Sequence, residues 1–168
     1  MSYEEEEIRR LLSMARRPSR TVLYTRLYNA VQQRLDALRE QVKLAEENYA
    51  TAYRYYREID EQLKEIRFKY QVDPYRREII GTTTVYVYGV PRTYQEAAQE
   101  LQRLAGTLKQ MRAAMERVTY IITAYEALLA RAEYMPEPQA IQLLTDMRNN
   151  LDRAYHVLNP YARRVWWR

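Results

Sequence analysis

From Val31 onward the apolar residues of this chain recur at alternating spacings of four and three, without an error, as far as Tyr70. The series is Val31, Leu35, Leu38, Val42, Ala45, Tyr49, Ala52, Tyr56, Ile59, Leu63, Ile66 and Tyr70. A strand repeats every two residues, so this rhythm admits only a helix with one narrow apolar seam. The predicted helix covers about 20–70, a rod of roughly 75 Å. Propensity alone does not hold such a rod together; its seam has to be buried against other helices.

Two more segments supply them. Ala97, Leu101, Leu104, Leu108, Met111, Met115, Val118, Ile122, Tyr125, Leu129 and Ala132 repeat the rhythm, as do Ala140, Leu144, Met147, Leu151, Ala154 and Leu158. The expected helices span about 94–134 and 138–158. Thr93 with Glu96 forms a capping box at the start of the first, Met135-Pro136-Glu137-Pro138 connects the two, and Asn159-Pro160 is expected to stop the second. Long helices on short connectors run antiparallel, so the expected fold is all-α: an elongated antiparallel helical bundle. One segment departs from it. Asp73-Pro74 ends the first long helix, and the β-branched and aromatic run around Ile79–Tyr88, bounded by Gly81 and Gly89, reads as a small β-hairpin over about 77–90 turning near Gly81-Thr82-Thr83. Two strands are marginal in water, so the hairpin must pack on something or extend a neighbour's sheet.

Ahead of the bundle, Ser2 with Glu5 and the glutamates 4–7 favour a helix from about Tyr3 to Arg16, broken at Pro18 with Ser19 as the next N-cap. The organisation is thus an N-terminal helical arm (1–18), the bundle (19–160) and an Arg/Trp tail (161–168). The N-terminus lacks an apolar core and does not read as a secretory signal, and no run is long enough for a membrane helix.

Charge is segregated. Between Ile8 and Arg34 stand Arg9, Arg10, Arg16, Arg17, Arg20, Arg26 and Arg34, with no acidic residue among them, whereas residues 36–69 interleave both signs as a solvated helix face does. A guanidinium fork binds phosphate bidentately, so these seven arginines are the candidate nucleic-acid contacts, with Ser13, Ser19, Thr21, Thr25, Tyr24 and Tyr28 as neutral additions. Nothing resembles a base-reading helix, so the binding expected is to the backbone and independent of sequence. The tail Arg163-Arg164-Val165-Trp166-Trp167-Arg168 offers Trp166, Trp167 and Arg168 as an anchor for a partner pocket or a lipid headgroup layer.

Catalytic chemistry finds no footing. The chain has no cysteine, a single histidine (His156), serines only at 2, 13 and 19, and three scattered glycines. No nucleophile–base set, phosphate loop or metal-ligand spacing can be assembled, so no catalytic or metal residue and no cofactor is expected. Asp152 and His156, one turn apart, read as a surface hydrogen bond. Cysteine avoidance and 23 arginines against four lysines fit a hot habitat. Of the 17 tyrosines, Tyr49, Tyr56, Tyr70 and Tyr125 are expected in the core and Tyr53, Tyr55 and Tyr120 at subunit contacts.

The arm from Ile8 to Arg34, its break at Pro18 and the helical bundle behind it resemble the coat proteins of filamentous archaeal viruses (rudiviruses, lipothrixviruses, tristromaviruses). That resemblance implies a virion protein whose arm clasps double-stranded DNA, which polymerises with itself or a sister subunit into a helical filament, and which in some members meets an envelope lipid. The stretch Tyr75–Val90 followed by a heptad helix also resembles prefoldin, implying a coiled-coil chaperone subunit. A coiled-coil adaptor with a basic arm for an acidic protein is a third reading.

Overall fold

The computed structural model describes residues 2–16 and 20–163, with the side chains of 11–16 outside the description. It is mostly helical, with one small antiparallel hairpin. In chain order the elements are α1 (Tyr3–Arg16), α2 (Val22–Lys69), α3 (Arg76–Thr82), β1 (Thr84–Val87), β2 (Val90–Thr93), α4 (Tyr94–Ala132) and α5 (Glu137–Ala162). No helix of the described residues is long and apolar enough to cross a membrane.

The helix starts follow from local chemistry. Ser2 Oγ accepts the Glu5 N–H at 3.3 Å, and Glu4, Glu5 and Glu6 lie in the first turn of α1, at the positive end of its dipole. At α2 the Thr21 hydroxyl oxygen accepts the Tyr24 N–H at 3.2 Å, so the cap lies two residues beyond the expected Ser19, a position outside the described residues. Thr93 caps α4 as its spacing with Glu96 predicts: its hydroxyl oxygen accepts the Glu96 N–H at 3.1 Å and donates to that residue's carboxylate at 3.0 Å.

Two compact units divide the chain: Met1–Val42 with Glu116–Asn159, and Lys43–Met115 with Pro160–Arg168. In the first, Val31, Leu35 and Leu38 of α2, Val118, Ile122, Leu129 and Ala132 of α4, and Ala140, Leu144, Met147, Leu151, Ala154 and Leu158 of α5 are buried. Cross-helix bonds fix directions. Tyr28 meets Glu133 and Arg39 meets Glu126, so partner numbers fall along α4 as they rise along α2. Arg34 meets Asp152 and Gln41 meets the Tyr155 carbonyl, so along α5 they rise. Gln41, rather than the expected Val42, takes the fully buried place on the seam, because its amide donates to the Tyr155 carbonyl at 3.1 Å.

In the second unit, Ala52 packs with Leu104 and Leu108 beneath Tyr49, Tyr55 and Tyr56. Ile59 and Leu63 pack with Ala97 and with Val85 and Val87, the inward-facing pair of β1. The hairpin is therefore anchored to α2 and α4, as a two-stranded element must be.

Its position corrects the expected one. Ile79 and Ile80 belong to the helical turn α3, and the strands pair Thr84 with Thr93 through Val87 with Val90. The Thr82 and Thr83 hydroxyls donate to the Ile79 carbonyl at 2.8 and 2.9 Å, closing a helix where a β-turn was expected. The turn falls instead at Tyr88 and Gly89, whose φ of 52° and 76° are both left-handed, as a two-residue hairpin turn matching the strand twist requires. The hairpin's edges are partly covered. The Gln62 amide donates to the Tyr86 carbonyl and accepts the Tyr86 N–H, both at 2.9 Å, occupying the outward groups of that β1 residue. Opposite Tyr86 stands Pro91, which faces outward on β2 without an N–H. Both edges are blunted against strand addition.

A second correction concerns Pro160, which lies inside α5 and does not stop it. The helix continues to Ala162 because Asn48 Nδ2 donates to the carbonyls of Tyr161 at 3.0 Å and Arg163 at 2.8 Å, satisfying acceptors that a helix C-terminus leaves open.

Candidate nucleic-acid interface

The seven arginines of the acid-free segment have three different fates. Arg9 and Arg10 lie exposed on α1, and Arg26 is exposed on the first turns of α2. Among the described residues none of the three makes an ion pair. A guanidinium in this condition keeps all its donors for an external anion.

Arg20 and Arg34 are used internally. Arg34 Nε donates to Asp152 Oδ1 at 2.8 Å and Nη1 to its own helix at the Ala30 carbonyl, 3.2 Å. Arg20 lies 4.1 Å over the Tyr24 ring and directs Nη2 to the Ala132 carbonyl at the C-terminus of α4, where the helix dipole favours a cation. Its Nη1 is buried without a partner. Arg16 and Arg17, like Trp166, Trp167 and Arg168 of the tail, fall outside the described side chains.

The neutral residues around Arg20 are also engaged. Tyr24 is buried and its ring stacks on Tyr28 at 6.0 Å; the Tyr28 hydroxyl donates to Glu133 at 3.1 Å. Burial, and then that carboxylate, raises the Tyr28 phenol above its ordinary value. Thr21 donates to Glu137 through its N–H at 2.9 Å and through its hydroxyl. The two bonds hold the Glu137 carboxyl below its usual range, hydroxyl first and amide second. The Thr25 hydroxyl returns to the Thr21 carbonyl at 3.2 Å. Of the predicted neutral contacts, then, Thr21 and Tyr28 tie the start of α2 to Glu137 at the start of α5 and to Glu133 just beyond α4, while Tyr24 and Thr25 are engaged locally. Ser13 and Ser19 lie outside the described side chains.

The expected Asp152–His156 bond is replaced by the Asp152–Arg34 pair, and His156 stands edge-on to Tyr155 with ring centroids 6.2 Å apart. Tyr49, Tyr56, Tyr70 and Tyr125 are half-buried, Tyr53 and Tyr120 exposed, and Tyr55 meets the turn residue Tyr88 edge-on at 5.2 Å. At that turn the Tyr88 hydroxyl donates to Glu100 at 2.8 Å, and Arg103 Nε donates to both carboxylate oxygens of Glu100. Arg103 foremost, then Tyr88, holds the Glu100 carboxyl below its usual range, against the opposing effect of burial. Burial, reinforced by Glu100, pushes the Tyr88 phenol far above its own range. The knot fixes the left-handed tyrosine of the turn.

No protein family, curated protein or solved structure matches this chain.

Proposed function

We propose that this chain is a structural, non-enzymatic coat protein that binds double-stranded DNA through its backbone phosphates, without sequence preference, and polymerises on it into a helical filament within a virion. One observation carries the reading: Arg9, Arg10 and Arg26 are exposed and without an ion pair inside the segment from Ile8 to Arg34, which contains no acidic residue. Evenly balanced charge needs no partner; segregated, unmatched cations call for a polyanion.

Arg16 and Arg17 join these three as contacts on sequence grounds, while Arg20 and Arg34 serve the bundle. The long helices supply the body of the subunit. Large apolar side chains left in solvent, Phe68 at 75% and Val72 at 88% exposure with Tyr75 beside them, supply contacts to further copies or a sister subunit. The Trp166-Trp167-Arg168 tail is assigned to a partner or envelope contact.

Negative-stain imaging of the protein with and without duplex DNA, paired with a salt titration of binding, tests this reading. Filaments that require DNA, and affinity falling steeply with salt, are expected. Binding that ignores salt, or no binding to duplex, overturns it; suppression of client aggregation by a small closed oligomer would move the chain to the chaperone class.

A further inference from the structure

A second cationic site lies in the first unit, away from the arginine-rich segment. Facing residues of α4 and α5 enclose a groove of about 250 Å³ that contains Arg117 and Tyr125 from one helix and Asn150 and Arg153 from the other, over a floor that includes the buried Val118 and Ala154. Its walls carry no carboxylate. The groove beside the hairpin, by contrast, contains Glu96 and Glu100, and the one between α2 and α4 contains Glu126 and Glu133.

Neither arginine has an ion pair among the described residues, and the sequence shows why. The positions three and four residues from Arg117 are Ala113, Ala114, Tyr120 and Ile121; those around Arg153 are Asn149, Asn150, His156 and Val157. The nearest carboxylate in sequence to Arg153, Asp152, is taken by Arg34. Asn150 Nδ2 donates to Tyr125 Oη at 3.0 Å, so the tyrosine's own proton is left to donate elsewhere. Two arginines and a tyrosine whose hydroxyl proton is free to donate line one cleft with an apolar floor and no competing acid.

We propose that this cleft binds a phosphate oxyanion, and specifically a phosphodiester of the nucleic acid. The chemistry is that of bidentate arginine–phosphate recognition, with Tyr125 as a neutral third donor. The identity of the anion's carrier rests on the nucleic-acid reading above; the oxyanion chemistry rests on the cleft alone.

The test uses the full chain, R117Q/R153Q and Y125F, each with its helical content checked by circular dichroism. Binding of a labelled duplex is followed by fluorescence anisotropy, and thermal unfolding is followed in inorganic phosphate against chloride of equal ionic strength. R117Q/R153Q is expected to lose about tenfold or more in duplex affinity at low salt, and its salt slope to shrink by about 0.9, one phosphate's share. It should also lose the stabilisation by phosphate that the unaltered chain shows. Y125F should weaken duplex binding a few-fold at unchanged slope, which keeps the test alive should the double variant fail to fold. Loss of the phosphate effect with duplex binding intact overturns the phosphodiester assignment in favour of a free anion. A chain that never binds duplex, yet loses its phosphate effect in R117Q/R153Q, refutes the nucleic-acid reading while the cleft stands as a small-anion site. Unchanged behaviour in both assays overturns the cleft.

Discussion

The division of the arginines into free and engaged groups can be measured directly, because each phosphate neutralised on duplex DNA contributes about 0.9 to the slope of log affinity against log salt. Arg9, Arg10 and Arg26 have no internal partner, so R9Q/R10Q/R26Q should flatten the slope by about 2.7. Over a fourfold rise in salt, that is a difference of about 40-fold in how much affinity is lost. R20Q/R34Q should leave the slope nearly unchanged and lower stability instead. The Arg34–Asp152 pair, with side chains 35% and 56% exposed, is worth at most about 1 kcal/mol. The Arg20–Tyr24 stack adds roughly 0.5–1 kcal/mol. A third variant turns the argument round: D152N removes the carboxylate that occupies Arg34, and should steepen the slope by about 0.9 while costing stability. Fluorescence anisotropy across a salt series reads all three, with urea unfolding as the stability control. If the two arginine sets flatten the slope equally per residue, or if D152N leaves it unaltered, an internal partner does not withdraw an arginine from the phosphates and the assignment fails.

Three further outcomes bear on the fold. G89A should cost about 1–2 kcal/mol in urea unfolding, purely from the left-handed backbone, because a Cβ at Gly89 would meet no atom within 4 Å. Q62L removes both bonds to Tyr86; with that residue 57% exposed, water recovers part of the loss and about 1 kcal/mol is expected. The freed β1 edge should then show as concentration-dependent association in sedimentation velocity. On acidification, Glu100 and Glu137, both held below their ordinary values, contribute stability that is complete above the unfolded carboxylate pKa and lost as pH falls through the folded values. Unfolding midpoints should therefore drop below about pH 4, and E137Q should remove part of that drop. At the same time, amide exchange should show Thr21 losing protection in the wild-type chain.

The helices were legible because burial in a narrow seam imposes its period on the sequence. All six α5 positions that carry the rhythm are buried, as are most of those on α2 and α4. What the rhythm could not show was which polar side chain a seam would admit. Gln41 lies inside because a carbonyl on another helix waits for its amide, and Val42 is displaced to half-burial. Composition also misplaced the hairpin. Ile79 and Ile80 have strand propensity, yet the hydroxyls of Thr82 and Thr83 can close a helix as readily as start a turn, and the real turn carries a tyrosine at φ 52° that no propensity suggests. That conformation is held from outside by Glu100 and the Tyr55 ring, contacts that the chain makes only after folding.

Which arginines stay free of an internal partner was half legible for a related reason. Counting charge along a chain treats sequence distance as spatial distance, which holds within one helix only for residues three or four apart. Arg34 has no acid three or four residues away, but Asp152, 118 residues on, neutralises it across two helices. Arg117 and Arg153 show the converse: they stand in segments of balanced composition, but their three- and four-residue neighbours are uncharged and no facing helix supplies an acid. A cation in a helical protein is therefore available to an external anion only when no carboxylate pairs with it, either from the neighbouring turn of its own helix or from a facing one. Arg9, Arg10, Arg26, Arg117 and Arg153 are among the arginines without an ion pair of either kind among the described residues; the first three stand in the acid-free segment and the last two line the acid-free cleft, and salt-dependent binding should be concentrated there.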